Sequence, residues 1–570
     1  KITGRGKKDS VLPSDLDSNK LNDYFVNIGT KISETFSNHD LSWNHPESIH
    51  TFVLKSISPG KTKHNLSLLS KESSLDILEF DRKLLQISAP YINISLNCLF
   101  NESLNCGFLP NDWKLARTTP VYKGKGDKNN ISNYRPISVV CHIAKLLEKE
   151  VQSQFLSYLQ TNHLISVDQY AFLPNHSTNT CLHRVIDDWY ESFNEKEKVG
   201  ACFLDISKCF DCIDHELLLS KLNKYGILNT ELKWFSSFLS GRKQAVYCHG
   251  KLSESKDITI GIPQGSILGP SLFLVFINDI TDCLRLSTCN IFADDVVLYV
   301  SDMDINVITS KLQADLYAIN EWYCKNRLRI NTNKSNIMLL SSNTRGNDEL
   351  SLKVHIDTET IEQVRSIRYL GIEIDDRLSW DIHIKSLTKS LSYKIFTLRK
   401  LSKFLSSSIL NKIYKCTIQP ILDYSCSVWG NCSLQNRNIL LRLQKRAARI
   451  VVGNFDYNVN SLSIINSLKW QSIDTRRDYF LSCIMYNCIH GKAPVRLCNE
   501  VEMVFDRHGF NTRLANTLNV VLPKPNLECF KNCFRYAGGK IWNSLPSAFQ
   551  NAKSIDVFKR MYKDKFFKPV

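Results

Sequence analysis

Long hydrophobic runs are missing from this 570-residue sequence. The longest uncharged apolar stretch, residues 267–277, is interrupted by Pro270 and Ser271 and falls well short of the ~20 residues a membrane helix needs. No membrane span is expected. Residues 1–10, KITGRGKKDS, hold neither an apolar signal core nor an initiator Met, and read as the interior of a longer reading frame. HExxH is absent, the KGKGD at 123–127 lacks the Gly-Lys-Ser/Thr ending of a phosphate-binding loop, and no Ser or Cys stands in a nucleophile setting. Metalloprotease, P-loop ATPase and acyl-transfer chemistry therefore have no support. No repeat of solenoid period is visible. The 19 cysteines lack regular spacing: Cys529 and Cys533 have no matching His, and Cys483, Cys488 and His490 fit no zinc-knuckle spacing. Reduced thiols without zinc are expected. Acidic charge is in deficit, 56 Asp and Glu against 72 Lys and Arg, giving a net charge of +16. That balance favours a polyanionic partner, nucleic acid first, although charge alone leaves an anionic membrane surface open.

What is present suits a folded protein: 43% hydrophobic and 22% charged residues sit near globular norms, and the length allows roughly three to five structural units. Residues 1–84 are rich in Ser, Asn, Lys and Asp, with one helical pattern at 21–36, and are expected to form a loosely packed extension. Helical spacing recurs over 80–108, stopped by Gly107 and Pro110. Two short strands, 117–123 and 134–140, flank a polar bend carrying lysines. Residues 145–159 and 177–194 read as helices, and 199–206 as an apolar strand ending at Asp205. Asp214 is placed to N-cap a helix that Gly226 terminates, with His215 in its first turn. Strands alternating with helices predict a mixed α/β core.

Three segments carry chemistry. In FLDISKCFD, an apolar strand closes on Asp205, where an ionised carboxylate beside a core is expensive unless compensated. A divalent cation is one compensation; capping the next helix is another. In IFADDVVLY, Asp294 and Asp295 sit between two apolar runs, reading as an Asp-Asp turn between strands. Adjacent carboxylates repel, and bound cations offset that repulsion. One carboxylate on a strand and two on a hairpin tip are what two-metal phosphoryl transfer requires. The third segment, GIPQGSILGP at 261–270, combines glycines that allow close backbone approach with a following helix N-terminus.

The order of segments is more specific than any one of them. TPVYKGKGD, NYRPIS, DQYAFLPNHST, FLDISKCFD, GIPQGSILGP, FADD, NRLRINTNKS and YLGI, in that succession, resemble the block series of reverse transcriptases encoded by non-LTR (LINE-type, Jockey-like) retrotransposons. The resemblance spans about residues 85–450. It implies an α+β right-hand polymerase: a helical N-terminal extension over 1–84, fingers and palm over 85–370, a thumb-like helical region over 371–450, and a nucleic-acid-associated C-terminal region over 451–570. It implies templated extension of a DNA primer or target on an RNA template, expected to be the element's own transcript, from dNTPs with two Mg²⁺ ions or Mn²⁺ instead. An endonuclease is not recognisable and is expected ahead of Lys1. A nuclear and cytoplasmic ribonucleoprotein is the implied setting.

By position in those blocks, the resemblance makes Asp205, Asp294 and Asp295 metal ligands, with the Ile206 carbonyl as a helper. Phe210 takes the place of the aromatic gate against a ribose 2′-OH, the alternative being plain core packing. Gln264 would touch nucleotide or template, with Gly265 letting the backbone close over it. Arg135, Lys123 and Lys145 are candidate triphosphate contacts, and Lys334 matches a lysine that protonates pyrophosphate or merely contacts phosphate. Tyr369, Leu370 and Gly371 resemble a primer grip. Read from spacing alone, Arg442, Lys445, Arg446 and Arg449 share one helical face suited to a duplex backbone, or to solvent. The rivals are a catalytically silent nucleic-acid-binding remnant of such an element and an RNA-dependent RNA polymerase. Intact acidic positions weigh against the first and Phe210 against the second.

Overall fold

The protein is described by a computed structural model covering residues 13, 16–34, 36, 48–69, 75–342, 351–456, 458–507 and 518–567. The chain divides into two compact units that are not consecutive stretches: Lys1–Phe172, Ile206–Arg285 and Tyr317–Asn331 in one, Leu173–Asp205, Leu286–Leu316 and Thr332–Val570 in the other.

The first unit is built on a five-stranded sheet. Strand β1 (Leu115–Tyr122) alternates buried and half-buried side chains and pairs antiparallel with β2 (Tyr134–Val140), Ala116 opposite Val140 and Tyr122 opposite Tyr134. The expected lysine-bearing hairpin is therefore present. With β3 assigned to Lys198–Asp205 of the other unit, β4 (Arg242–Cys248) runs parallel to β1, and β5 (Lys251–Leu252) and β6 (Lys256–Ile258) return antiparallel to β4. The helix Gly269–Ile277 is apolar all round, and every residue but Pro270 is buried, as such a composition demands. Residues 1–84 depart from expectation, because their helix Ser18–Ser33 is not loosely packed. Leu21 and Phe25, one turn apart, join Tyr134, Val246 and Cys248 in a small core, and Asp17 caps the helix by accepting from the N–H groups of Asn19 and Lys20. The polar composition of the stretch concealed this narrow apolar face.

The second unit holds a sheet in the order β12-β9-β3-β8-β7, where β7 is Thr288–Phe292, β8 Asp295–Asp302, β9 Asn336–Leu340 and β12 Glu362–Gln363. Central β3 is hydrogen-bonded antiparallel on both sides, and its inner side chains are buried on both faces, which is why it reads as a continuous apolar run rather than an alternating one. Trp189 of the helix Thr178–Asn194 packs edge-on against Phe203 of β3 and Tyr299 of β8. Two hairpins, β10–β11 (His355–Ile356, Glu359–Thr360) and β13–β14 (Ser366–Tyr369, Ile372–Asp375), precede the helices Asp381–Leu401, Ser407–Thr417 and Leu434–Val452. Aromatic residues after 451 build a core: Trp470 stacks on Tyr414, and Tyr479 and Trp542 lie in a cluster with Tyr486, Phe558 and Tyr562. The tail is fastened to the β3 sheet's own helix, where the buried Asp187 carboxylate accepts from the N–H groups of Phe534 (2.6 Å) and Arg535 (3.0 Å). Among the described residues no disulfide joins the cysteines, and no helix is long and apolar enough to cross a membrane.

Candidate active site

The second unit brings the three aspartates together at one end of its sheet. Asp205 is the last residue of β3 and lies directly opposite Asp295, the first residue of β8. The hairpin differs by one residue from the expected Asp-Asp turn. Phe292 pairs with Asp295, so Ala293 and Asp294 form the loop and Asp295 belongs to the strand. Ala293 takes φ +57°, the positive value a two-residue hairpin needs at its first position, so Asp is not what accommodates the turn. Asp294 stands at the tip, exposed. The Asp295 carboxyl is pushed up to about 6, first because surrounding protein atoms desolvate it and then because Asp294 and Asp205 repel its charge, even though the residue keeps solvent access.

Asp205 is fixed from behind by its backbone N–H, which donates to the buried Ser335 Oγ at 3.1 Å. Lys334, the neighbouring residue, directs Nζ to Asp205 Oδ2 at 3.4 Å; both groups face solvent, so the pair adds little stability. Lys334 thus stands beside the carboxylate of Asp205. Tyr369 is buried against Phe203 of β3, ring centroids 5.4 Å apart, with its hydroxyl 3.6 Å from Cys181 Sγ. Leu370 and Gly371, φ +43° and +85°, are the two-residue turn of β13–β14, and the Leu370 carbonyl accepts from Tyr424 Oη at 2.7 Å. Of the four cations on Leu434–Val452, Arg442 and Arg446 are exposed and Lys445 half-buried. Arg449 differs: its guanidinium donates to the Val459 carbonyl (2.8 Å) and Ser461 Oγ (3.1 Å), closing the segment after the helix. Helical spacing placed it correctly on the face but could not show this local use.

The first unit assembles a separate group. Phe210 sits in a 3-10 turn, Cys209–Asp211, and its half-buried ring stacks on Phe273, centroids 4.5 Å apart and planes 24° off parallel. The loop carrying Gln264 is laced to this turn: Ile262 N–H donates to the Phe210 carbonyl (2.9 Å), Gly261 N–H to that of Ile213 (2.8 Å), and Gln264 Nε2 to Asp211 Oδ1 (2.8 Å). Burial raises the Asp211 pKa, with Gln264, Lys208 and Lys123 opposing. On the far side, Ser138 N–H of β2 donates to the Gln264 carbonyl at 2.8 Å, and a Cβ on Gly265 would stand 2.1 Å from the Ser138 oxygen. Only glycine permits that approach. Lys123 Nζ donates to the Ser132 carbonyl at 2.7 Å, and Arg135 projects from β2 exposed. Lys145 is half-buried, its pKa lowered by desolvation with Glu148 opposing, so it faces internal carboxylates. Ile206 is buried and bridges Ile330.

Two supporting residues escaped sequence reasoning. Glu148 is fully buried and its Oε2 accepts from Ser266 Oγ and Ile267 N–H, both at 2.7 Å, anchoring the loop just beyond Gln264. Its signal was an acid on the apolar face formed by Ala144, Val151 and Phe155. His215 does more than open a helix: its Nε2 lies 2.8 Å from the Gly261 carbonyl, to which only an N–H can donate.

Residues 125–374 match the family described as reverse transcriptase (RNA-dependent DNA polymerase). The RNA-directed DNA polymerase from mobile element jockey of Drosophila funebris is 29% identical over 384 residues, covering 65% of this chain and 41% of that protein. Its counterpart from Drosophila melanogaster is 28% identical over 368 residues, 63% and 40%. The Pol polyprotein of the type-1 retrotransposable element R2 from Popillia japonica is 27% identical over 220 residues, 36% and 30%. The chain spans about two fifths of the length of the jockey and similar relatives it matches. Every acidic position of the site falls within the matched region, so the site lies in a stretch that is similar to the reverse transcriptases of such mobile elements.

Proposed function

We propose that this chain is an RNA-directed DNA polymerase of a non-LTR retrotransposon, adding dNTPs to a DNA primer on an RNA template. A reverse transcriptase domain implies dependence on a divalent cation. The observation that carries the proposal is the register of β3 and β8, which sets Asp205 opposite Asp295 with Asp294 beside them at the hairpin tip. Desolvation first, and then repulsion from Asp294 and Asp205, raise the Asp295 pKa, which fits a site meant for cations. Among the described residues no three His, Cys, Asp or Glu side chains hold an ion by themselves. That fits a polymerase, in which hard cations take remaining oxygens from phosphates and water. Asp205, Asp294 and Asp295, with the Ile206 carbonyl, are the residues assigned to two Mg²⁺ ions. When bound, such ions ease deprotonation of the primer 3′-OH and neutralise the pyrophosphate leaving group.

The remaining roles belong to the chain's own groups. Arg135 and Lys123 bind the triphosphate, with Lys145 the weaker candidate because internal carboxylates face it. Lys334 is placed to hand a proton to the leaving pyrophosphate oxygen. Phe210 blocks a 2′-OH, Gln264 and Gly265 line the nucleotide position, Tyr369, Leu370 and Gly371 seat the primer end, and Arg442, Lys445 and Arg446 hold the duplex backbone. Fingers and palm are assigned to 85–370, the thumb to 371–450, and RNA or target-DNA binding to 451–570. Single-nucleotide extension of a DNA primer on an RNA template, with dNTPs and rNTPs compared, tests the reading. Efficient dNTP addition with poor rNTP use supports it, whereas preferential rNTP addition would place the chain among RNA polymerases.

A further inference from the structure

The turn that carries Phe210 is gripped from the N-terminal helix Ser18–Ser33. Gly29 of that helix is buried, and a Cβ built on it would stand 2.0 Å from the Asp211 carbonyl oxygen and 3.2 Å from Ile260 Cγ2. A Cβ on Gly261 (φ +89°) would stand 2.8 Å from the same oxygen. The residue after Phe210 is thus approached closely by two glycine backbones, with no room for a methyl group on either. Tyr24 supplies a second grip, because Lys208 Nζ donates to its hydroxyl at 2.8 Å and lies 4.6 Å from its ring centroid. Lys208 needs restraint, since it holds φ +48°, a conformation L side chains rarely adopt.

The helix is itself well anchored. The buried Asn22 donates through Nδ2 to the carbonyls of Glu254 (2.8 Å) and Gln244 (3.3 Å) and accepts from Gln244 Nε2 (3.0 Å). Lys256 of β6 pairs with Asp23. A rigid path therefore runs from β4 and β6 through the helix to turn 208–211, while Phe273 holds the Phe210 ring from its face.

We propose that the Ser18–Ser33 helix is a positioning element for sugar selection, with Tyr24 and Gly29 fixing turn 208–211 so that Phe210 meets the ribose at one depth. The inference rests on the reading of Phe210 as the sugar gate. A displacement of about 1 Å at such a position can change rates by about 10²-fold, so a methyl group forced against the turn is sufficient to alter selection.

The test uses the full chain and measures kcat/KM for single dNTP and rNTP additions on an RNA template. Thermal melting and primer–template affinity without nucleotide are measured alongside. Tyr24→Phe, which keeps the ring and removes only the hydroxyl that accepts from a charged group, is expected to lower dNTP-over-rNTP selectivity about threefold or more, with melting and primer–template affinity near wild type. Gly29→Ala is expected to lower selectivity about tenfold, following the larger displacement. Adding Tyr24→Phe to Phe210→Ala should cost no further selectivity, because Tyr24 acts through Phe210. Unchanged selectivity in Tyr24→Phe, equal loss for dNTP and rNTP, or additivity with Phe210→Ala would each overturn the inference while leaving the gate intact. If Phe210→Ala itself retains full selectivity, the gate reading fails first.

Discussion

Gly265 offers a quantitative perturbation of the proposed nucleotide site. Its φ of +136° is glycine territory, and an alanine there would place Cβ 2.1 Å from the Ser138 carbonyl oxygen, where ordinary van der Waals separation begins at 3.4 Å. The shortfall is 3.4 − 2.1 = 1.3 Å, and both parties are backbone, so no side chain can swing aside. The loop must retreat from β2, breaking the 2.8 Å hydrogen bond from Ser138 N–H to the Gln264 carbonyl. Strain of about 1–3 kcal/mol and a broken buried hydrogen bond of about 1 kcal/mol lower stability by about 2–4 kcal/mol. A typical reserve of about 5–15 kcal/mol leaves the chain folded. A retreat of this size moves Gln264 enough to lower kcat/KM for dNTP addition by about 10²-fold. Steady-state single-nucleotide extension reads the effect, with a thermal melt confirming that the variant is folded. A folded Gly265→Ala chain with kcat/KM within about threefold of wild type would refute the close-approach argument.

Other perturbations separate the remaining elements. Phe210→Ala should raise rNTP use relative to dNTP by about 10–100-fold in the same extension assay, and unchanged discrimination would return Phe210 to the core. Replacing Arg442, Lys445 and Arg446 with Ala should flatten the dependence of log affinity for duplex on log salt by about 0.9 for each phosphate no longer neutralised. Arg449→Ala should instead lower the melting temperature, because its guanidinium closes the segment at Val459 and Ser461; equal salt effects from all four would contradict the distinction. His183, buried with Nε2 2.9 Å from Ser427 Oγ, has its pKa lowered by desolvation from 6.5 to about 3. Below pH 6.5 the unfolded chain takes up a proton that the folded chain refuses, so this group's stability is present above 6.5 and lost as pH falls toward 3. Asp187, raised by burial from 3.8 to about 6, acts in the opposite sense, but equally in wild type and variant. Denaturant unfolding between pH 6 and 4 should therefore show His183→Gln losing about 1.4 kcal/mol per pH unit less than wild type, and parallel curves would refute the assignment.

The acidic site was readable in the sequence because strand ends and block order are local properties. Asp205 closes an apolar run that proves to be a strand hydrogen-bonded on both edges, and the helix capped by Asp214 stops before Gly226 as its sequence demands. The hairpin tip was misjudged by one residue, because Asp is common at positive φ and Ala is not, yet β8 pairing forces Ala293 into that conformation. Long-range anchors left little local trace. Glu148 resembles any helical glutamate until the loop 266–268 is folded against it, and the apolar face of Ser18–Ser33 is only Leu21 and Phe25 within a polar stretch. In the tail, Trp470 and Trp542 carry no local sign of their role, and only their burial shows them to be core.

The central claim is that Asp294, with Asp205 and Asp295, forms the centre at which a DNA primer is extended. Its most direct test is RNA-templated primer extension by wild type and Asp294→Ala at saturating Mg²⁺ and dNTP, with primer–template affinity measured in parallel. Losing a cation ligand removes several kcal/mol of transition-state stabilisation, so extension should fall by about a thousandfold or more while affinity for primer–template is retained. Extension by Asp294→Ala at the wild-type rate would contradict the account.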